Sequence, residues 1–170
     1  MDILIFSDSH GDTTKMHRMM RKQITRPDAV FFLGDGLRDT DALDPTDPPL
    51  YRVCGNCDWF SQNEAPAKIV MALGGHVIFA THGHLYDAKS GDHALLMHAL
   101  AMGADIVLFG HTHIPTLKII PAGTELYSSA TGSVTTERTI YLFNPGSLHQ
   151  SSFGTLTLRR DEVLFSHGSL

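Results

Sequence analysis

Short apolar runs that end in polar residues are the feature that most constrains how this chain can fold. The runs are rich in β-branched and aromatic residues, and their length is typical of buried β-strands rather than helices. They cover residues 3–6, 29–33, 50–53, 68–73, 76–80 and 105–109. We therefore expect a sheet structure with mainly buried strands in this part of the molecule.

Two stretches with helical spacing of apolar residues predict helices. Residues 13–25 place three methionines on one face and basic side chains on the other, and residues 92–102 show a similar spacing. The later segments are shorter and alternate in polarity, which is typical of antiparallel hairpins. They cover residues 116–120, 125–128, 139–143, 155–159 and 162–166. The order of elements predicts an α/β sandwich, and the acidic, proline-rich stretch 39–49 is interpreted as a solvated loop.

The composition limits the kind of protein this can be. A chain of 170 residues with 42% hydrophobic content can bury one core, so we expect a single domain over residues 1–170. No apolar run could span a membrane and no basic leader opens the chain, which predicts a cytoplasmic protein without membrane contact. Two cysteines are too few for a disulfide framework. A net charge of -5 makes nucleic acid an unfavoured partner.

Residues that can bind metal ions follow five of the predicted strands. The carboxyl ends of strands form the rim at which α/β sheets bind ligands, so residues distant in sequence can converge there on one crevice. The i, i+2 spacing of Asp8 with His10, and of His111 with His113, lets one loop offer two ligands. The candidate ligands are Asp8, His10, Asp35, Asn56, His82, His111 and His113.

The types of donor in this set predict two divalent metal ions. Carboxylate, imidazole and amide groups suit a borderline-hard ion such as Mn²⁺, Fe²⁺, Ni²⁺ or Zn²⁺. Seven ligands are too many for one tetrahedral ion, so we expect two ions that share one carboxylate. Two such ions, less the charges of Asp8 and Asp35, leave a site of about +2 that would attract an anion such as phosphate.

Five short motifs contain these residues. In chain order they are Asp8-Ser9-His10, Gly34-Asp35, Gly55-Asn56-Cys57-Asp58, Thr81-His82-Gly83-His84 and Gly110-His111-Thr112-His113. The set resembles the calcineurin-like metallophosphoesterase family, in particular its small single-domain phosphodiesterase branch, over nearly the whole chain. The resemblance implies a sandwich of two mixed β-sheets flanked by helices, with the metal site at the C-terminal ends of the strands.

The resemblance also assigns the ligands to two metals bridged by Asp35. One metal would be held by Asp8, His10, Asp35 and His113, and the other by Asp35, Asn56, His82 and His111. Mn²⁺ is the first candidate, with Ni, Fe or Zn as alternatives. The implied activity is hydrolysis of a small phosphodiester by in-line attack of a hydroxide that bridges the two metals.

The sequence departs from the family pattern near the expected proton donor. Larger members carry a histidine where this chain has Cys57, so Cys57 and His84 are both candidates for the catalytic acid. Asp58 is a candidate for orienting a ligand or the Cys57 loop. Arg38 stands where the family has a second acidic residue, and no role is transferred to it or to its neighbour Asp39. Residues 144–147 also resemble a segment of the small relatives.

Other functions stay open. A phosphomonoesterase would use the same ligands, because ester preference depends on the loops around the site. One relative of the fold, the vacuolar protein sorting-associated protein 29, serves as a scaffold in a coat complex, and other family members process DNA.

Cys54 and Cys57 form a C-x-x-C pattern, but the helix that lowers a thiol pKa in redox motifs does not follow it. Small relatives are often dimers, so a homodimer is a further expectation.

Overall fold

The computed structural model describes residues 1–44, 46–128, 132–160 and 162–170. The strands in these ranges are β1 Asp2–Phe6, β2 Ala29–Phe32, β3 Leu50–Arg52, β4 Lys68–Leu73, β5 His76–Thr81, β6 Ile106–Phe109, β7 Thr116–Ile120, β8 Glu125–Ser128, β9 Gly132–Thr135, β10 Ile140–Asn144, β11 Ser152–Arg159 and β12 Glu162–Ser169. The helices are α1 Thr13–Lys22 and α2 His93–Ala101. Short 3-10 segments cover Leu37–Ala42, His84–Tyr86 and Leu148–Gln150.

Most of these strands belong to two five-stranded mixed sheets. The first sheet has the order β12-β11-β1-β2-β3, and the second has the order β4-β5-β6-β10-β7. Strands β1, β2 and β3 run parallel, as do β5, β6 and β10. Strands β11, β4 and β7 run antiparallel to these neighbours, and β8 pairs with β9 as a hairpin. In each sheet the parallel strands therefore share one carboxyl edge.

The main core lies between the two sheets. It takes alternate residues of the central strands, such as Ile3 and Ile5 from β1 and Ile106 and Leu108 from β6, and all of them are buried. The residues between them on the same strands are buried as well, because a helix covers the outer face of each sheet. This burial on both faces explains why the strands are continuous apolar runs in the sequence.

The two helices cover the outer faces of the sheets with their apolar residues. Met16 and Met19 of α1 are fully buried against the first sheet. The helix ends at Lys22 rather than at residue 25, because the backbone of Gln23 is extended and its side-chain amide donates to Met19 O at 2.8 Å. Helix α2 packs on the second sheet through Leu95, Leu96 and Ala99.

The structure confirms the α/β sandwich of two mixed sheets flanked by helices and corrects several details besides the end of α1. Strand β9 was missed, because its four residues are half-exposed and contain no apolar run. Strand β11 begins at Ser152, three residues before the predicted start, and strand β12 ends at Ser169, three residues after the predicted end. The stretch 39–49 was predicted as a solvated loop, but its first residues belong to a 3-10 segment. Pro45 in this stretch lies outside the described residues. Among the described helices, none combines the length and the apolar character that crossing a membrane requires.

Candidate metal centre

The structure gathers the candidate ligands at the carboxyl edges of the two sheets. They follow β1 (Asp8, His10), β2 (Asp35), β3 (Asn56), β5 (His82) and β6 (His111, His113). Asp8, Asp35 and His82 are buried, whereas the other four are half-buried or exposed. The two carboxylates therefore lie buried at the base of a crevice, and the partly exposed histidines line its sides. The binding of metal by each residue stays a prediction.

One part of the crevice is the Asp8 group, which consists of Asp8, His10 and His113. Asp8 Oδ1 lies 3.1 Å from His113 Nε2 and 3.9 Å from His10 Nε2. The Nε2 atoms of the two histidines are 3.5 Å apart. Ligands that sit about 2 Å from a shared ion are separated by about 3 Å or slightly more, so this spacing suits a common ion.

A second part is the Asp35 group, which consists of Asp35, Asn56 and His82. His82 Nε2 lies 3.3 Å from Asp35 Oδ2 and 3.1 Å from Asn56 Oδ1. The other ring nitrogen, Nδ1, lies 2.7 Å from Leu33 O, which can only accept a hydrogen bond, so Nδ1 carries a proton. Nε2 therefore faces two oxygen acceptors, and the group needs either a second proton on the ring or a cation between these atoms.

Asp8, Asp35 and His111 connect the two groups. Ligand atoms of Asp8, Asp35 and His82 lie within 4.8 Å of one another. The His111 backbone N–H donates to Asp8 Oδ2 at 3.2 Å, and its ring centroid lies 5.0 Å from that of His82. Burial and the charge of His82 lower the pKa of His111 to about 4, which keeps its imidazole in the neutral form that metals bind.

The charges on the floor of the crevice fit divalent metal ions. Asp8 Oδ1 is buried and makes no hydrogen bond. His113 Nε2 lies 3.1 Å from it, but the two atoms are not aligned as donor and acceptor. Burial raises the pKa of Asp8. Burial acts in the same direction on Asp35, but the hydrogen bond and the charge of His82, together with the hydrogen bonds from Cys57, outweigh this effect and hold the pKa of that carboxyl below its usual range. In the described residues the ion-pair partners of both carboxylates are histidines, so no lysine or arginine neutralises them.

The backbone at the candidate ligands is strained. Seven non-glycine residues of the described chain have a positive φ, and five of them are candidate ligands. These five are Asp8, His10, Asp35, His111 and His113, with φ between 46° and 66°. Left-handed backbone costs a non-glycine residue on the order of 1 kcal/mol or more, and such residues cluster at functional sites. Sequence patterns give no signal for this strain.

Asp58 joins the loop that carries Asp35 to the loop that carries Asn56. Its Oδ2 accepts from the N–H groups of Asp35 at 2.9 Å and Gly55 at 2.7 Å. Its Oδ1 accepts from the N–H groups of Gly36 at 2.9 Å and Leu37 at 2.8 Å. Both oxygens are thus occupied by backbone donors. This geometry is that of a residue that positions the backbone and leaves no free oxygen for acid or base chemistry. The orienting role suggested by the sequence stays a prediction.

Two further side chains hold the ligand loops, although the sequence assigned them no role. Asp39 Oδ2 accepts from Ser9 Oγ at 2.6 Å and from Gly11 N at 2.8 Å, so it braces the Asp8 loop from the acidic stretch. Asn144 Nδ2 donates to Gly110 O at 2.7 Å and thereby holds the loop after β6. The resemblance of residues 144–147 to a segment of small relatives was the available signal for Asn144.

The two candidate proton donors lie at the edge of the crevice. Cys57 is exposed, and its Sγ lies within 4.8 Å of ligand atoms of His10 and Asp35. Partial desolvation and the nearby Asp35 carboxylate raise the pKa of the Cys57 thiol to about 11. The His84 ring lies 5.3 Å from that of His82, between centroids, and burial lowers the pKa of His84.

The C-x-x-C pattern lacks the thiol activation of a redox site. Burial also raises the pKa of Cys54, so both thiols are shifted away from the thiolate form. Redox motifs depend on a lowered thiol pKa. Neither thiol is therefore activated in the way that a redox motif requires.

The fold and the donor set together define a class of protein. A sandwich of two mixed sheets with aspartate, asparagine and histidine at one edge is the arrangement of the metallophosphoesterases. The model of the calcineurin-like phosphoesterase superfamily domain matches residues 1–168. This chain belongs to that family, whose members are phosphoesterases that use divalent metals.

Known relatives share the fold over nearly their full length. The chain is 29% identical to "Probable metallophosphoesterase YsnB" of Bacillus subtilis (strain 168) over 167 residues, covering 95% of this chain and 86% of that protein. A structure reported as a novel archaeal phosphodiesterase superposes with a TM-score of 0.72 at 19% identity, covering 100% of both chains. A double mutant of Vps29 from Entamoeba histolytica gives a TM-score of 0.74 at 20% identity, covering 100% of this chain and 93% of that one. The two structural likenesses show the fold alone.

Proposed function

We propose that this protein hydrolyses phosphodiesters at a centre of two divalent metal ions, with Mn²⁺ as the first candidate. The observation that carries the proposal is the position of Asp35. Its carboxylate belongs to two sets of mutually close ligand atoms, one with His10 and Cys57 and the other with Asp8 and His82. A carboxylate placed in this way can bridge two ions. The proposed ligands are Asp8, His10, Asp35 and His113 for one ion and Asp35, Asn56, His82 and His111 for the other.

The metals would supply the chemistry, and the chain would supply position and charge. When bound, two divalent ions lower the pKa of a coordinated water and neutralise charge on the phosphoryl oxygens. The chain's buried carboxylates, Asp8 and Asp35, would hold the ions. Asp58 holds the two loops of the Asp35 group together through its four backbone hydrogen bonds. Cys57 and His84 are the proposed candidates for giving a proton to the leaving oxygen.

The first test replaces the bridging carboxylate. In Asp35→Ala we expect both metal ions to be lost, because each depends on this ligand, and turnover of bis(p-nitrophenyl) phosphate to fall by at least a hundredfold. Metal content would be measured by mass spectrometry after gel filtration, and turnover in the presence of Mn²⁺. The matched control is Asp41→Ala, which removes an exposed aspartate that pairs with Arg52 and should leave both readouts unchanged. Two retained ions with full turnover in Asp35→Ala would contradict the bridging role.

A non-catalytic scaffold is the alternative, since Vps29 has the same fold. Asp8 Oδ1 accepts no hydrogen bond in its buried position, and neither carboxylate has a lysine or arginine partner in the described residues, which favours a metal-binding site over a surface used only for assembly. Metal-loaded wild-type protein that hydrolysed neither phosphodiesters nor phosphomonoesters would favour the scaffold.

A further inference from the structure

A small cavity opens beside the candidate metal centre. It has a volume of about 220 Å³ and is lined in part by the candidate ligand His10 and by Cys57. On its other side it is lined by Arg38, Phe60 and Ser61. Small-molecule pockets are commonly about 300 Å³ or larger, so this volume suits one arm of a substrate rather than a whole ligand. A group in this cavity would remain attached to a phosphate at the metal centre.

The wall formed by Phe60 is aromatic and open to solvent. Phe60 is 90% exposed and Trp59 is 74% exposed, the highest values for aromatic residues in the described chain. Adjacent exposed rings of this size are unfavourable in water and are characteristic of binding surfaces. Both residues directly follow the Asn56-Cys57-Asp58 motif, so the aromatic surface is part of the same loop as a candidate metal ligand.

This aromatic loop is held in place by polar contacts. Arg38 Nε donates to Ser61 Oγ at 2.9 Å, and Arg38 Nη2 donates to Phe60 O at 3.3 Å. Ser61 N donates to Asp58 O at 2.9 Å, which ties the loop to the positioning residue of the metal centre. The backbone of Phe60 is therefore held at a defined place beside the cavity, so less of the loop has to be ordered when a ring stacks on this residue.

We propose that this cavity is a subsite for a planar aromatic ester arm of the substrate, with Phe60 as the specificity-determining residue and Arg38 as the residue that positions it. The proposal rests on the proposed function in one respect, because the phosphate of the substrate is placed at the metal centre. The favoured substrates are then phosphate esters with an aryl or nucleobase-like group. Stacking on an exposed ring adds to the apolar area that such a group buries.

The test compares two phosphonates, whose C–P bonds are not hydrolysed. Affinities of phenylphosphonate and methylphosphonate would be measured by titration calorimetry on the Mn²⁺-loaded protein. We expect the wild type to bind phenylphosphonate about tenfold more tightly, and Phe60→Ala to reduce this ratio to about threefold or less. Phe60→Tyr keeps the ring and should keep the ratio. The matched control is Tyr127→Ala, which removes an aromatic residue of 70% exposure that does not line the cavity and should leave the ratio unchanged.

Each outcome separates the subsite from the proposed function. Equal affinities in the wild type, or no binding of either phosphonate, would overturn the subsite. A preference for phenylphosphonate that survives in Phe60→Ala would overturn the role of Phe60. Because this side chain is 90% exposed, unfolding of the variant is a poor explanation for a loss of the preference. Hydrolysis of bis(p-nitrophenyl) phosphate is measured separately. A phenyl preference without hydrolysis supports the subsite and contradicts the phosphodiesterase activity.

Discussion

Asp58 shows how one buried side chain can determine the geometry of two ligand loops. Its two oxygens accept four backbone N–H groups from residues 35–37 and Gly55. A buried carboxylate with this many charge-assisted hydrogen bonds cannot be replaced by a neutral amide without leaving donors unpaired. Its burial and its contacts with both loops make Asp58 a structural requirement of the Asp35 group.

Replacing Asp58 with asparagine should therefore destabilise the protein. One end of the amide would present N–H groups to two backbone donors, so we expect a loss of about 2 kcal/mol or more in the free energy of unfolding, measured by urea denaturation. The comparison is Asp39→Asn, because Asp39 uses only Oδ2 for its two hydrogen bonds and an asparagine can keep its carbonyl oxygen there. A smaller loss in Asp58→Asn than in Asp39→Asn would contradict this account.

At the level of residues, the sequence predicted the identity of the candidate ligands but not the side chains that hold them. The candidates could be selected because aspartate and histidine follow the ends of apolar runs closely, as Asp8 and His111 do after one intervening residue. Asp39 could not be found, because the pattern of an acidic, proline-rich stretch does not reveal which carboxylate folds back onto Ser9. The positive φ values at the ligands also have no counterpart in the sequence.

At the level of elements, the close approach of the loop after β6 to the loop after β1 depends on a glycine. A Cβ on Gly110 would overlap Ser7 Oγ and lie 2.9 Å from Asp8 Oδ2. Two strands from different sheets can therefore bring His111 and Asp8 together only because residue 110 has no side chain.

Gly110→Ala should push the two sheet edges apart. We expect a loss of about 2 kcal/mol or more in the free energy of unfolding, because the overlap is with a buried and rigid loop. We also expect weaker Mn²⁺ binding. The control is the double variant Ser7→Gly with Gly110→Ala, which removes the overlapping atoms and should be more stable than the sum of the two single changes predicts. Additive effects of the two substitutions would show that this contact does not determine the separation of the loops.

The elements themselves were largely predictable, and their exceptions have physical causes. Strands such as β2 and β6 are buried on both faces, so their composition alone reveals them. Strand β9 forms through pairing with β8 rather than through burial, and the end of α1 is determined by the capping contact of Gln23 with Met19 O. Pairing and capping depend on neighbours that a pattern of hydrophobicity does not contain.

At the level of the whole molecule, the candidate metal centre is built from loops of both sheets, so metal binding should stabilise the entire fold. A ligand that binds only the native state, present at a hundred times its dissociation constant, adds about 2.7 kcal/mol to the free energy of unfolding. For a chain of this size, that corresponds to a rise of about 5 to 10 °C in the melting temperature. We expect a rise of this order for the wild type when Mn²⁺ is added, measured by scanning calorimetry, and its reversal by a chelator. Asp35→Ala should show no rise. An equal rise in both proteins would mean that Mn²⁺ binds elsewhere.

The left-handed backbone at five of the candidate ligands affects how easily these side chains can be lost in evolution. At each of these positions glycine would relieve the backbone strain, so selection against that strain alone would favour loss of the side chains that are proposed to bind metal. A lineage that no longer needed catalysis could therefore gain robustness by losing ligands one at a time, while the sandwich around them stayed intact. In this chain all five positions carry aspartate or histidine, as the proposed metal centre requires.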